Sequence, residues 1–384
     1  MERTTSIELF FDLVYIFTIT QLAHYLTDHL DWRGVARAGV LLGLVWLVWI
    51  YTVWVGNWLQ PDRTPVRAML LGVALGSLLL SAALPAAFTG SGLLFAATYA
   101  VVQVGRTVFA LWAVRGQARL SDGFRKSAVW MTGTGALAVT GGLVDVPARE
   151  LIWTAVIVID VLGLATGFPV PGLGRARPEH WEVEGGHLAE RCQAFILIAL
   201  GESILVTGGT LTQRLDRVTI AAFLLAFAGS VALWWVYFDR SAPAGVAVLA
   251  GAGERTGRLG RLAFNYLHPL LVAGIVVTAV GDERLLSGPG ERTDVASALV
   301  VLGGPALFLA GHAAYQAVLG QPGWASRGAG ALLLLALSPV AAAMRVPLAA
   351  AAGLALLVTV GVIVADRLPG RWSPQRRGPR SPLR

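Results

Sequence analysis

Apolar runs of about twenty residues recur along almost the whole chain, and this repetition restricts the possible folds more than any single motif does. About 20 residues is the length an α-helix needs to cross roughly 30 Å of hydrocarbon. The runs are continuous and do not alternate in dyads, which argues against a β-barrel. Composition points the same way. Of 384 residues, 55% are hydrophobic and 14% charged, against roughly 25% charged in a soluble domain, so the polar side chains are too few to cover a water-facing surface. The chain reads as an all-α polytopic membrane protein, multi-pass in the cytoplasmic (inner) cell membrane. A single cysteine, Cys192, excludes an internal disulfide and any cysteine-cluster metal site. No cleavable leader is evident, so the first span is expected to stay.

Apolar windows fall near residues 6–26, 36–59, 66–86, 92–114, 124–143, 148–168, 186–209, 218–238, 261–280, 295–318, 328–344 and 347–366, giving twelve expected spans. The last two flank Arg345 and Pro347 and read as a tight helical hairpin or a re-entrant segment. Lys and Arg set the orientation. With the N-terminus inside, twenty basic residues fall in inside segments and eight in outside ones, while Arg106 and Arg191 lie within spans. The bias holds only for an even number of spans, which puts both termini in the cytoplasm. The net charge of +7 then reads as this bias plus attraction to anionic lipid headgroups at the cytoplasmic loops and tail. Nucleic acid is not an expected partner, because no soluble module carries a basic face.

Residues 169–185 form a proline-stiffened cytoplasmic linker at the midpoint, between a first half at 1–168 and a second at 186–368. The basic tail 369–384 lacks core-forming residues and is expected to be disordered. Short matches link the halves: VIVID ending at Asp160 with VIVAD ending at Asp366, Gly105-Arg106 with Gly311-His312, and Trp49-Ile50-Tyr51 with Trp235-Val236-Tyr237. Asp12 and His24 share a twelve-residue spacing with Glu190 and Glu202. These matches suggest a parallel 6+6 duplication, whose substrate path would lie between the halves.

A carboxylate in hydrocarbon costs roughly 2.5–3.5 kcal/mol on insertion scales, so each ionisable group in a span needs a partner or a use. Glu8 follows Thr5 by three residues and reads as a capping box. Asp12 lies one turn deeper on the same face and needs a buried partner. Tyr99, Gln103 and Arg106 share a face of span 4, and Arg106 is expected to pair with Asp12 or Asp160. In span 7, His187, Glu190 and Arg191 sit at the inner end as interface anchors or site residues. Glu202 lies about 24 Å further along the helix at 1.5 Å per residue and points the same way as Arg191. Gly201, Gly208 and Gly209 would let another helix approach closely. Pro269 is expected to disturb helical geometry at His268 and to free a backbone carbonyl. His312 is a further polar point, and His24 reads as interfacial. The substrate or ion-binding candidates are therefore Asp12, Arg106, Asp160, Glu190, Arg191, Glu202 and His312. No Walker loop, dinucleotide fingerprint or HExxH is present, and neither a cofactor nor a metal is expected.

The stretches ELFFDLVYIFTITQLAHYL, WIYTVWVGNWLQPDRTPVR, VQVGRTVF, FPVPGLG, EGGHLAERCQAFILIALGESILVTG and ALWWVYFDRSA together resemble the bacterial low-temperature-requirement A (LtrA) family over nearly the whole chain. The resemblance implies an integral membrane protein of bacteria, linked by name to growth in the cold. It carries no catalytic residues across. It does imply that Glu8, Asp12, Arg106, Glu190, Arg191 and Glu202 belong to a shared pattern. Three functions fit. The favoured one is a secondary transporter or ion-coupled permease for an unidentified small solute or ion. The others are a membrane-embedded enzyme acting on lipid-linked substrates, and a non-catalytic scaffold or sensor in cold or stress adaptation.

Overall fold

The computed structural model describes residues 4–176, 185–211, 215–239, 241–250 and 259–367. The acidic part of the midpoint linker, Arg240, Arg255, Arg258 and the basic tail lie outside the described residues. The helices are α1 (Ser6–Asp28), α2 (Trp32–Trp58), α3 (Thr64–Ala83), α4 (Gly92–Ala113), α5 (Ala118–Leu143), α6 (Ala148–Thr166), α7 (Gly185–Leu211), α8 (Arg217–Phe238), α9 (Ser241–Ala250), α10 (His268–Ser287), α11 (Val295–Val318), α12 (Trp324–Met344) and α13 (Leu348–Ala365). A π-helical segment, Arg261–Leu267, leads into α10. No strand occurs among the described residues.

Local chemistry accounts for the ends. Asp31, Asp216 and Asp294 cap α2, α8 and α11, each accepting from a backbone N–H in the first turn. Proline occupies the first turn of α3, where its missing N–H is no loss. Gly167 ends α6 with φ 79°, a left-handed conformation that glycine adopts without steric penalty.

Among the described residues, ten stretches are long and apolar enough to cross a membrane: α1 to α4, α7, α8 running into α9, the π segment with α10, and α11 to α13. The expected fifth and sixth spans are present as helices but fall short of that apolar content. α5 opens with Arg119, Asp122, Arg125 and Lys126, and α6 carries Arg149, Glu150 and Asp160. α5 packs on α4 and α6, and α6 packs on α2. The final pair is two complete helices joined by a three-residue turn at Arg345–Pro347.

Helix packing follows one scheme twice. α1–α3, α3–α4, α4–α5, α5–α6 and α2–α6 are in contact, and so are α7–α10, α10–α11, α11–α12, α12–α13 and α8–α13. The two groups of helices meet through α1 and α2 on one side and α7 and α10 on the other. The α1–α7 contacts climb in step: Asp12 with Arg191, Tyr15 with Phe195, Thr20 with Glu202. A near-constant offset of this kind means that α1 and α7 run parallel.

Glycine sets the closest crossings, though not where the sequence placed them. A Cβ at Gly201, Gly208 or Gly209 would meet nothing within 4 Å, so these residues do not mediate close approach. Gly274 and Gly304 do: a Cβ there would lie 2.5 Å from the backbone nitrogen of Phe308 and of Thr278 respectively. Gly303 and Gly304 sit in the middle of α11.

Pro269 acts differently from expectation. His268 keeps right-handed helical geometry at φ −62°, ψ −37°. The adjustment falls upstream, in the π turn. Without the Pro269 N–H, the carbonyl of Asn265 loses its helical donor. It accepts instead from Trp46 Nε1 at 2.8 Å, while Trp54 Nε1 donates to the Asn265 side-chain oxygen at 2.8 Å. Trp46→Phe keeps the ring and removes that donor. It should lower stability by about 1–3 kcal/mol, the cost of one orphaned buried acceptor, read as a lower thermal midpoint of the detergent-purified protein. An unchanged midpoint would refute this account of the Pro269 break.

Candidate functional site

The α1–α7 seam holds the ionisable groups that the sequence left unexplained. Arg191 on α7 reaches across to α1 and is used completely. Its Nε and Nη2 donate to the two oxygens of Asp12 at 3.0 and 2.6 Å, and its Nη1 donates to Glu8 Oε1 at 2.9 Å. The fixed fork of a guanidinium suits this double duty, which a lysine ammonium could not perform. Trp49 Nε1 on α2 adds a further donor to Asp12 at 2.8 Å.

Glu8 serves two ends. One oxygen accepts from the Thr5 backbone N–H at 2.9 Å and caps α1; the other faces Arg191 and lies 3.0 Å from His187 Nε2. The expected cap is therefore real, and Glu8 is part of the ion cluster as well. The Asn57 amide nitrogen lies 3.5 Å from His187 Nδ1. An amide N–H only donates, so Nδ1 accepts there and Nε2 carries the proton directed at Glu8. Two carboxylates thus face one guanidinium and one imidazole.

A second acidic level lies further along the same seam. Thr20 Oγ1 donates to Glu202, Ser203 Oγ donates to Asp282 Oδ2 at 3.3 Å, and Thr27 Oγ1 donates to Glu283 Oε2 at 2.9 Å. From Glu8 to Thr20 is twelve residues, or about 18 Å along α1 at 1.5 Å per residue. Between the levels, Phe195 packs against Tyr15, Trp46 and Trp49 with ring centroids 4.5–5.8 Å apart, an aromatic septum without charge. Glu8 and Asp12 are 0% exposed, Glu202 4%, Asp282 9% and Arg191 1%. Glu8 and Asp12 share the Arg191 guanidinium, while Glu202 on α7 and Asp282 on α10 each accept from a hydroxyl.

His187, Arg191 and Glu202 do share the face of α7 that the sequence assigned them, because all three contact α1. Glu190 does not join them. It is one residue, about 100°, round the helix from Arg191, half-buried, with Thr4 Oγ1 3.5 Å away. His24 is exposed, in keeping with an interfacial position.

Arg106 corrects the sequence reading. It is buried on α4, but it makes no ion pair with Asp12 or Asp160. Nη1 donates to the Val48 carbonyl and to Thr52 Oγ1 at 3.2 and 3.3 Å, and the guanidinium lies 5.5 Å from the Tyr51 ring centroid. Asp12 is taken by Arg191. Asp160 accepts from Tyr99 OH at 2.9 Å, and Gln103 donates to that same phenol at 3.0 Å.

His312, on α11, lies in a neighbourhood of its own. Arg327 Nε donates to His312 Nδ1 at 2.9 Å, Arg327 Nη1 pairs with Asp366 at 2.5 Å, and the His312 ring lies 5.5 Å from that of Tyr237. Of the candidates, then, the structure joins Asp12 with Arg191 and puts Glu202 on the same seam. Arg106 and Asp160 occupy a second neighbourhood and His312 a third.

Sequence reasoning missed Asp282. It falls just past its apolar window and precedes Glu283-Arg284, so it read as loop. The tryptophan donors were missed too, although five tryptophans on α2 were a visible signal. Among the described residues no three His, Cys, Asp or Glu side chains converge as metal ligands.

The profile of the family described as "Bacterial low temperature requirement A protein (LtrA)" matches residues 3–365. The chain belongs to this family. The match covers both halves and every helix of the seam, so this LtrA-family protein is an integral, multi-pass membrane protein. It is also similar to the uncharacterized protein RA0937 of Rhizobium meliloti (strain 1021), with 36% identity over 309 residues, 79% of this chain and 75% of that one. No solved structure matches this LtrA-family chain.

Proposed function

We propose that this LtrA-family protein is a proton-coupled permease of the cytoplasmic membrane, with the α1–α7 seam as its coupling path. The observation that carries the reading is the excess of buried carboxylates over buried cations there. A scaffold needs its charges balanced, since a buried ion without a counter-charge destabilises the fold. A proton carrier needs the opposite: carboxylates that exchange a proton for part of each cycle. Glu8–Asp12 at one level and Glu202–Asp282 at the other would hold the proton on either side of the Phe195 septum.

The repeated packing scheme and the parallel α1 and α7 support a 6+6 arrangement in twelve spans with both termini inside, the geometry in which two halves rock against each other. In that cycle α1 and α7 shift together and pass the proton across the septum. Arg106 and Asp160, neighbours without an ion pair in this conformation, would pair in another.

Glu202→Gln is the variant that tests this. Glutamine still accepts from Thr20, so the seam should remain folded, but it cannot ionise. In proteoliposomes under an imposed pH gradient, the wild type should move protons or solute above the protein-free rate, and Glu202→Gln should fall to that rate with an unchanged thermal midpoint. Wild-type flux equal to empty vesicles across a broad solute panel would sink the permease reading.

A further inference from the structure

We infer that the cleft between α2, α4, α5 and α6 is a binding site for an organic carboxylate with a flat apolar body, and that Arg106 is the group that holds the carboxylate. The cleft is partly open to its surroundings and holds about 50 Å³ of free space. Tyr51, Trp54, Trp58, Phe124 and Phe168 supply aromatic wall, Thr107 and Ser127 supply hydroxyls, and Arg106 and Arg261 supply positive charge. No acidic side chain among the described residues lines it.

Arg106 is the decisive feature. Only 3% of it is exposed. Its Nε has no hydrogen-bond acceptor, and no carboxylate forms an ion pair with it among the described residues. A buried guanidinium that keeps an unused donor at the wall of a cavity is poised for an acceptor that arrives from outside, and a carboxylate matches its fork. The neighbourhood of His312 shows the closed alternative. There His312, with Tyr237 and Asp366, is completed internally by Arg327, which pairs with Asp366. The neighbourhood of Arg106, with Tyr51 and Asp160, has no such internal pair.

The wall is also built at some cost. Phe168 has φ 51°, a left-handed conformation that bulky residues rarely adopt. It is held there by its N–H to the Gly163 carbonyl at 2.8 Å, and next to it the Ala176 N–H bonds the Gly167 carbonyl at 2.7 Å. The result presents the Phe168 ring between Tyr51 and Trp130. Aromatic faces on several sides select a flat apolar body, and the arginine selects its charge.

This site stands apart from the acidic seam, so it can exist whether or not the protein moves protons. The test is calorimetric titration of the full-length protein in phosphatidylcholine nanodiscs with 2-naphthoate, with the neutral 2-naphthamide as control. Saturable naphthoate binding is expected, with naphthamide much weaker. Arg106→Gln should weaken naphthoate by about tenfold or more, the worth of one charge-assisted hydrogen bond, and leave naphthamide unchanged. Should Arg106→Gln fail to fold, Ser127→Phe, which fills the cleft from α5, should abolish binding of both. Saturable, Arg106-dependent binding of oleate in place of naphthoate would keep the carboxylate site and assign its ligand to the bilayer. No saturable binding of either acid, or binding indifferent to both substitutions, would overturn the inference. Carboxylate binding without any flux would leave this site standing while the permease reading fell.

Discussion

Arg191→Leu should be the most damaging single substitution in the seam. It leaves Glu8 and Asp12 buried at the α1–α7 contact with Trp49, His187 and Thr5 as their only donors. Removing one partner from a buried ion cluster typically costs about 3–5 kcal/mol, because the remaining charges stay desolvated. The expected result is loss of a monodisperse species on gel filtration, or a thermal midpoint far below wild type. Arg191→Lys should fall between the two, since an ammonium cannot bond both oxygens of Asp12 and Glu8 in one plane. The decisive control removes the carboxylates as well: Glu8→Gln and Asp12→Asn added to Arg191→Leu should recover much of the lost stability. A lone Arg191→Leu with a wild-type midpoint would show that the cluster does not hold α1 on α7.

The second large effect concerns two neighbouring glycines that should respond in opposite directions. At Gly304 an added Cβ would lie 2.5 Å from the Thr278 backbone nitrogen, whereas at Gly303 it would meet nothing within 4 Å. A backbone atom cannot rotate out of the way, so Gly304→Ala must push α11 off α10. Overpacking of this kind costs about 1–3 kcal/mol or more. Gly303→Ala meets no obstacle and gains helix propensity, up to about 1 kcal/mol in a water-exposed helix. Thermal midpoints should therefore fall for Gly304→Ala and hold or rise for Gly303→Ala. Gly274→Ala, opposite Phe308, should behave like Gly304→Ala. Equal effects at 303 and 304 would mean that α10 and α11 do not cross here.

Much of the helical layout was legible in the residues. All twelve expected spans fall on helices, because twenty-residue apolar runs are local signals, but α5 starts six residues before its window, α10 runs seven past its own, and α9 was not expected. The shared face of His187, Arg191 and Glu202 was legible for the same reason, since helical periodicity is fixed at 3.6 residues per turn. The partners of those groups were not legible. Asp12 and Asp160 were equal candidates for Arg106, and the structure gives Asp12 to Arg191, Asp160 to Tyr99, and neither to Arg106. Glu8 looked like a cap alone, yet its second oxygen has a separate task. Gly201, Gly208 and Gly209 looked like a packing face and are not one.

The sequence by itself determined that this chain is a helical membrane protein, roughly where twelve of its helices lie, and which side of α7 is polar. Those properties depend on composition, on period and on neighbours within a few residues. The tertiary structure alone decided which charges meet: Arg191 with Glu8 and Asp12 rather than Arg106 with Asp12, an unaccompanied Glu202–Asp282 level, and an arginine left facing an aromatic cleft. A single buried guanidinium satisfies whichever carboxylates lie within about 3 Å of it. That distance is set by how helices 180 residues apart in sequence pack, and no local pattern encodes it.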